Sequence, residues 1–416
     1  MIGAGYLNRF VSEEEVREWT GQAMDDYHLK DKRILTIIPD ATRTCPLPML
    51  FKIFSELLGA SNKKLDFLIA LGTHPPLSQE AIFKLVGITP SEYSQKYSQH
   101  QFFNHRWDDS ENFRLIGRIY AHELEKLTEG LFKQDVNIRI NHQVYLYDQV
   151  IVLGPTFPHE VVGFSGGNKY FFPGVGEAEF LNFFHWLGAV ITNYNVIGTK
   201  YNPVRKVVDR AAQFITVPKL CFDMVVYQKK LAGLFIGQPE EAWSAGADLS
   251  NQLHIIYKAR SFKKVLGVAP EMYDEMWVAG KVMYKLEPVI EEGGELIIYG
   301  PHIKKISITH GMHIERIGYH VRDYFLKQMD RFKDIPLGVL AHSTHVRGRG
   351  KFENGREVPR IRVTLATGLS EELCKKVNLG YTDYKQVKFE NFQNKEEEGT
   401  LFVPSAGEIL YRIKAG

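Results

Sequence analysis

The amino-acid sequence predicts an α/β protein with two domains, each built on a mostly parallel sheet, and an active site in the cleft between them. Short apolar runs alternate with segments of helical periodicity, which is the pattern of βαβ units. The 416 residues exceed the usual size of one compact domain. Polar side chains follow several of the predicted strands, and open sheets bind ligands beyond the carboxyl ends of their strands.

The first predicted domain, residues 1–258, opens with a helix and then repeats a strand, loop and helix. Ser12 and Glu15 form a capping box at the start of that first helix. The other elements follow from apolar runs and helical spacing. They are strands at 33–38, 65–71 and 149–153, helices at 47–58 and 78–86, two strands within 216–237, and a helix from 239 toward 258.

The second predicted domain, residues 259–389, repeats the alternation. A strand at 262–269, a helix at 273–290 and a strand at 295–299 form a further βαβ unit. The C-terminal segment, 390–416, contains the apolar run Leu401-Phe402-Val403. We expect this segment to return to the first domain and complete it.

Composition and charge exclude several classes of protein. Lys and Arg are interspersed with Asp and Glu and the formal net charge is +2, so no basic stripe indicates a nucleic-acid partner. The three cysteines are far apart in sequence, which is typical of a reducing compartment. No stretch approaches the roughly 20 apolar residues that span a bilayer. The sequence therefore predicts a cytoplasmic protein without a membrane partner.

The most informative segment, residues 159–185, reads HEVVGFSGGNKYFFPGVGEAEFLNFFH. Its glycines permit a close approach of backbone to a ligand, and Ser165 and Asn168 add hydrogen-bonding groups. Lys169 in such a loop can act as an amine nucleophile or a covalent anchor. The same pattern is as typical of a glycine-rich turn with a solvated lysine. It is neither a P-loop nor a dinucleotide fingerprint, because the spacing of both motifs is absent.

Two strand exits carry further candidates. Asp40, Thr42 and Arg43 suit phosphate or carboxylate binding, or else a helix N-cap with Arg43 in a surface ion pair. His74 is a general base or a structural loop histidine. Two histidine pairs with i, i+3 spacing are a weak signal for metal ligands; they are His310 with His313 and His342 with His345.

Taken together, these motifs resemble the nickel-dependent lactate racemase family. The matching features are DATR at 40–43, GTHPP at 72–76, and His159 ten residues before the lysine of GFSGGNKYFFPGV. His185 follows Lys169 by sixteen residues. The ordered set is specific, since each piece is common but the combination and spacing are not.

The resemblance implies an enzyme that inverts C2 of a 2-hydroxy acid by hydride transfer to and from a nickel-pincer nucleotide. This cofactor is nickel held by pyridinium-3,5-bisthiocarboxylic acid mononucleotide, with Lys169 as its covalent anchor and His185 as the protein ligand to nickel. His74 and His159 would exchange the hydroxyl proton, while Arg43 and Lys281 would hold the substrate. The remaining predicted cofactor-binding residues are Asp40, Thr42, Ser165, Gly166 and Gly167.

The sequence departs from the family's lactate racemases at the substrate. Val278 stands where they have glutamine, three residues before the lysine matched to Lys281, and all five tryptophans lie at or before Trp277. We therefore expect a substrate larger or more polar than lactate, for example a sugar acid. The alternatives are a lactate racemase proper, a non-catalytic nickel- or nucleotide-binding maturation protein, and a conventional nicotinamide-dependent dehydrogenase. Cofactor-synthesis enzymes are the expected maturation partners.

Overall fold

A computed structural model describes residues 1–414 and divides the chain into two compact units. Unit 1 comprises Met1–Phe157, Phe164–Leu181 and Lys200–Leu253. Unit 2 comprises Pro158–Gly163, Asn182–Thr199 and the chain from His254 onward. Both units are α/β with mostly parallel strands, as the sequence predicted. The two short segments that join unit 2 from the middle of the chain were not predicted.

Unit 1 is organised around a seven-stranded sheet. In spatial order its strands are Ile2–Gly5, Lys230–Gly237, Lys219–Tyr227, Gln149–Pro155, Arg33–Pro39, Lys64–Ala70 and Phe102–Asn104. The first three strands pair antiparallel and the others parallel. The predicted strands 33–38, 65–71 and 149–153 and the predicted strand pair within 216–237 all lie in this sheet.

The register of the central strands aligns their carboxyl ends. Pro39 pairs with Ala70 across two parallel strands, and Ile37 pairs with Val152 on the other side. These strands are almost continuously apolar because both faces are covered, as is usual for parallel sheets. The loops that follow Pro39 and Ala70 therefore leave the sheet at the same edge.

Three helices of unit 1 begin where the sequence predicts, and the other three were not predicted. Ser12 caps the first helix through a complete capping box with Glu15, and Ser78 caps the helix at Gln79. The helices are Glu13–Asp26, Leu47–Ser61, Gln79–Val86, Pro90–Glu92, Ala121–Leu127 and Pro203–Ala212. A two-stranded ribbon joins Phe113–Ile119 to Val136–Asn141. Two further helices, Ala178–Ile191 and Pro239–His254, each contain residues assigned to both units.

Unit 2 contains a five-stranded parallel sheet. In spatial order its strands are Gly380–Tyr381, Arg362–Thr367, Ile290–Gly300, Phe262–Val268 and Thr400–Val403. The expectation that 390–416 completes the first domain is wrong for the described residues, because Thr400–Val403 pairs with Phe262–Val268. Leu401 and Val403 are buried there, so the apolar run belongs to the second core.

The remaining elements of unit 2 surround this sheet. Its helices are Asn193–Val196, Met276–Leu286, Gly311–Ile317, Arg322–Leu326, Leu337–Arg347 and Glu371–Lys376. Short strand pairs join Ile255–Lys258 to Leu410–Ile413 and Gly350–Glu353 to Arg356–Pro359. Over residues 1–414, no helix has the length and apolar character needed to cross a membrane.

Candidate functional site

An imidazole and a carboxylate pair at the aligned strand ends of unit 1. Nδ1 of His74 is hydrogen-bonded to Oδ2 of Asp40, and Oδ1 of Asp40 accepts from the amide (3.1 Å) and hydroxyl (2.7 Å) of Thr42. Burial alone would raise the pKa of Asp40, but the His74 hydrogen bond and the charges of His74 and Arg43 hold it well below its usual value. Asp40 is therefore ionised.

This pair fixes the tautomer of His74. An ionised carboxylate can only accept, so Nδ1 carries the proton and the neutral ring presents an unprotonated Nε2. The loop is held in place by Trp107, whose indole N–H donates to the carbonyl of His74 (3.1 Å). Asn104 adds two hydrogen bonds of 2.9 Å to the backbone of Leu77. Nε2 of His74 is thus positioned as a proton acceptor.

The loop after Pro39 is not a helix cap. Helix Leu47–Ser61 has Pro46 at its N-cap position, so neither Asp40 nor Thr42 serves there. The guanidinium of Arg43 lies over the ring of Phe157, 5.4 Å from its centroid. The sequence left open that Asp40 or Thr42 caps a helix, and that interpretation is wrong.

The glycine-rich loop of unit 1 forms a 3₁₀ turn, Gly167–Tyr170, that carries Lys169. Gly166 and Gly167 have φ of 83° and 55°, values that side-chain-bearing residues rarely adopt. A Cβ on Gly166 would lie 1.8 Å from Oγ1 of Thr156, and one on Gly167 would lie 2.7 Å from Cβ of Trp243. These glycines are therefore required by the packing of the loop against its own unit.

Ser165 anchors the same loop. Its hydroxyl donates to the carbonyl of Pro155 (3.0 Å) and accepts from the amide of Phe157 (3.0 Å). Ser165 is 5% exposed, and both roles of its hydroxyl are filled within the protein. Its contact with a cofactor remains a prediction.

Three buried side chains that the sequence analysis did not identify hold this loop. Oδ2 of Asp223 accepts from the Thr156 hydroxyl (2.8 Å) and the Gly167 amide (3.2 Å). The guanidinium of Arg205 donates to the carbonyl of Phe164 (2.5 Å) and stacks on Trp243 at 3.9 Å. The indole of Trp243 donates to the carbonyl of Ser165 (2.8 Å). No local motif marks these residues, because their partners are 40 to 80 residues away in sequence.

The loop after Pro39 and the glycine-rich loop meet at Tyr170. Its ring occupies the space that a Cβ on Gly154 would need, since that atom would lie 2.0 Å from Oη of Tyr170. Burial raises the pKa of Tyr170, and the nearby charges of Cys45, Arg43 and Asp40 also act on it. Unit 1 therefore brings the predicted residues Asp40, Thr42, Arg43 and His74 together with the loop that carries Lys169.

The other three predicted residues, His159, His185 and Lys281, belong to unit 2. His159 is 5% exposed, and its Nδ1 accepts from the amide of Val161 (3.1 Å). An amide can only donate, so the neutral ring carries its proton on Nε2. Oε2 of Glu160 lies 3.4 Å from the same Nδ1 and can pair with it when the ring is cationic. The segment is fixed by Lys285, which donates to the carbonyl of Pro158 (2.5 Å).

His185 and Lys281 lie on separate helices of unit 2. His185 is on helix Ala178–Ile191, one turn beyond Asn182, whose side chain accepts from the amide of Gly338 (2.9 Å). Lys281 is on helix Met276–Leu286, with Nζ 4.9 Å from the ring centroid of Tyr273. The charge of His185 acts on His342 and His345 of helix Leu337–Arg347.

A cluster of aromatic and histidine side chains completes this part of unit 2. The rings of Trp277 and His342 are stacked with centroids 3.7 Å apart, and His310 lies 4.6 Å from Trp277. Tyr319 contacts His342 edge-on at 6.0 Å, and Tyr284 lies 5.8 Å from His345. The i, i+3 spacing of His342 and His345 is the only signal that the sequence offers for this cluster.

The donor set restricts how a metal can be held. Within residues 1–414, no group of three or more His, Cys, Asp or Glu side chains is arranged to hold a metal ion. Burial raises the pKa of all three thiols, Cys45, Cys221 and Cys374, so none is a thiolate near neutral pH. A metal ion ligated by His185 would therefore receive no thiolate ligand from these three cysteines.

Comparison with known proteins identifies the family. Residues 16–197 match the family model described as the lactate racemase N-terminal domain. A curated lactate racemase from Thermoanaerobacterium thermosaccharolyticum is 25% identical over 230 residues, which are 53% of this chain. That alignment spans 48% of the relative, about half of its length. Residues 16–197 therefore belong to the family of lactate racemase N-terminal domains.

Two solved structures resemble the whole chain. A crystal structure of a Thermotoga maritima protein from the Northeast Structural Genomics Consortium is 32% identical, with a TM-score of 0.88 over 98% of this chain and 100% of that one. The lactate racemase apoprotein from T. thermosaccharolyticum is 18% identical, with a TM-score of 0.74 over 99% of both chains. At that identity, the second comparison supports the fold alone.

The packing of the glycine-rich loop makes a stability prediction. Gly166→Ala should lower the free energy of unfolding more than Gly130→Ala, by about 1–3 kcal/mol, the usual cost of overpacking. The control Gly130 also has a positive φ, 87°, but no atom lies within 4 Å of its added Cβ. Urea unfolding of both variants measures the difference. Equal losses would show that only the backbone conformation matters and that the loop is not tightly packed.

Proposed function

We propose that this protein is a racemase or epimerase that inverts C2 of a 2-hydroxy acid with a nickel-pincer nucleotide. The observation that carries the proposal is a carboxylate beside Nδ1 of each of two histidines. Asp40 leaves Nε2 of His74 unprotonated and able to accept a proton, whereas Oε2 of Glu160, 3.4 Å from Nδ1 of His159, can stabilise the imidazolium form that returns one. Inversion of a hydroxy acid needs one group that accepts the hydroxyl proton and one that returns it on the opposite face.

The residues of the chain fit the proposed cofactor. Lys169 sits in a rigid turn, held by the packing of Gly166 and Gly167, which suits a covalent anchor. His185 would be the protein ligand to nickel, since the protein thiols are buried and protonated. When bound, the cofactor would supply a reversible acceptor for the Cα hydride of the substrate.

The protein's own part in the reaction is binding and proton transfer. In one direction His74 accepts the substrate hydroxyl proton at Nε2 and the imidazolium of His159 returns a proton on the opposite face; in the other direction the two histidines exchange these roles. The cation that forms on His74 is stabilised by Asp40, and that on His159 by Glu160. Arg43 and Lys281 hold the substrate carboxylate and the developing carbonyl oxygen.

The proposed substrate is larger or more polar than lactate, and a sugar acid is the example we favour. Val278 and the absence of a tryptophan after Trp277 support this proposal, because both changes remove groups that the family's lactate racemases have. Lactate is the alternative substrate. Enzymes that synthesise the cofactor are the proposed partners in maturation.

Covalent attachment at Lys169 is tested by intact-protein mass spectrometry. Protein produced together with the cofactor-synthesis enzymes should carry an adduct that is lost in Lys169→Ala. The matched control is Lys133→Ala, an exposed lysine paired with Glu125, which should keep the adduct. An unmodified wild-type protein, or an adduct retained in Lys169→Ala, would refute the assignment.

The tautomer of His74 is tested by Asp40→Asn. The amide of asparagine can donate to Nδ1 and thereby move the proton of the ring to Nε2, where it blocks proton acceptance. We expect kcat for the loaded enzyme to fall about 10³–10⁴-fold, the loss typical of a carboxylate-to-amide change that imposes the wrong tautomer. Asp108→Asn, at an exposed pair with Arg106, is the control that keeps full activity. A loss of less than tenfold in Asp40→Asn would contradict the role of the pair.

A further inference from the structure

Among the buried side chains of unit 2 with polar atoms that no hydrogen bond satisfies within residues 1–414, three lie close together. They are Oη of Tyr319, Nε2 of His342, and both ring nitrogens of His345. The residues are 0%, 6% and 3% exposed. Unsatisfied buried polar groups are destabilising, and native proteins rarely retain several of them together without a bound molecule or ordered water as partner. Their concentration in one place therefore indicates a binding site.

These side chains lie close to the predicted substrate lysine. Helices Met276–Leu286 and Leu337–Arg347 pack tightly, because a Cβ on Gly280 would lie 2.9 Å from Cγ2 of Val346. Trp277 stacks on His342 from the first of these helices. Lys281 follows Trp277 by one helical turn and so lies on the same face of that helix.

The chemistry of the cluster favours hydroxyl groups over a second carboxylate. Burial lowers the pKa of His342, and lowers that of His345 to about 4, so both rings are neutral near pH 7. Neutral imidazole and phenol groups donate and accept, as alcohols do. Trp277, which stacks on His342 and lies 4.6 Å from His310, adds a partly exposed apolar ring beside them.

We propose that Tyr319, His342 and His345 bind the hydroxyl groups of a polyhydroxylated tail on the 2-hydroxy acid. The carboxylate end lies toward Lys281, and the tail runs along helix Leu337–Arg347 beside Trp277. The substrate is then an aldonic acid and not lactate or a dicarboxylate. This inference rests on the proposed function and deepens it, since it assigns the groups that select among 2-hydroxy acids.

The test compares three acids on the loaded enzyme. Gluconate, lactate and malate are assayed for inversion at C2, and their binding is measured separately by calorimetry. We expect kcat/KM for gluconate to exceed that for lactate and malate at least tenfold. Tyr319→Phe removes one hydroxyl without changing the ring, and should lower kcat/KM for gluconate about 10–100-fold while lactate changes less than threefold. His342→Gln, a second variant, should act in the same direction.

Tyr299→Phe is the matched control, because Tyr299 packs against Phe389 in another part of unit 2. This variant should retain the preference for gluconate. A preference for lactate or malate would overturn the inference. An equal loss of kcat/KM on all three acids in Tyr319→Phe would also overturn it. In either case, inversion of an acid would still support the proposed function. Gluconate binding that depends on Tyr319 without inversion of any acid would uphold the binding site and refute the proposed function. The absence of both gluconate binding and inversion would refute the inference and the proposed function together.

Discussion

The hydrogen bond between Asp40 and His74 is the interaction on which the account of this protein depends. It exists because two parallel strands end in register, with Pro39 opposite Ala70, so that the next residues of both strands share one edge of the sheet. The bond keeps Asp40 ionised in a buried position and keeps the proton of His74 on Nδ1. A parallel sheet of ordinary architecture thereby produces a histidine with one defined acid–base state.

The packing of the glycine-rich loop is the second feature that positions a predicted site residue. Gly166 and Gly167 allow the loop to pack against Thr156 and Trp243, and Asp223 accepts from both Thr156 and Gly167. This network therefore holds the backbone of the turn that carries Lys169. A rigid origin for a long side chain is what covalent attachment of a cofactor requires, since it limits the positions of the attached group.

Much of the fold could be predicted from local sequence patterns. Ser12 and Ser78 mark helix starts through hydrogen bonds within four residues, and the apolar run after Arg33 is a buried strand wherever it pairs. The position of Thr400–Val403 could not be predicted, because an apolar run fits either sheet and its partner strand is more than 130 residues away. The same reason explains why Pro158–Gly163 and Asn182–Thr199 were not assigned to unit 2.

The candidate site was predictable to a similar extent. His74 and Lys169 stand in motifs that a single sequence can reveal, whereas Arg205, Asp223 and Lys285 act through distant partners and carry no local signal. The sequence predicted Ser165, Gly166 and Gly167 as cofactor-binding residues, whereas the contacts that the structure gives them lie within the protein. Their contacts within the protein hold the loop in place, and a cofactor would meet a loop that is already formed.

The central claim is that the Cα hydrogen moves as a hydride while His74 and His159 exchange only the hydroxyl proton. Inversion of an unlabelled 2-hydroxy acid by the loaded enzyme in D₂O, followed by NMR or mass spectrometry of the product, tests this claim most directly. The account predicts that the inverted product retains its original hydrogen at C2. Deuterium at C2 of the inverted product would show removal of a proton by a base, and would contradict the account.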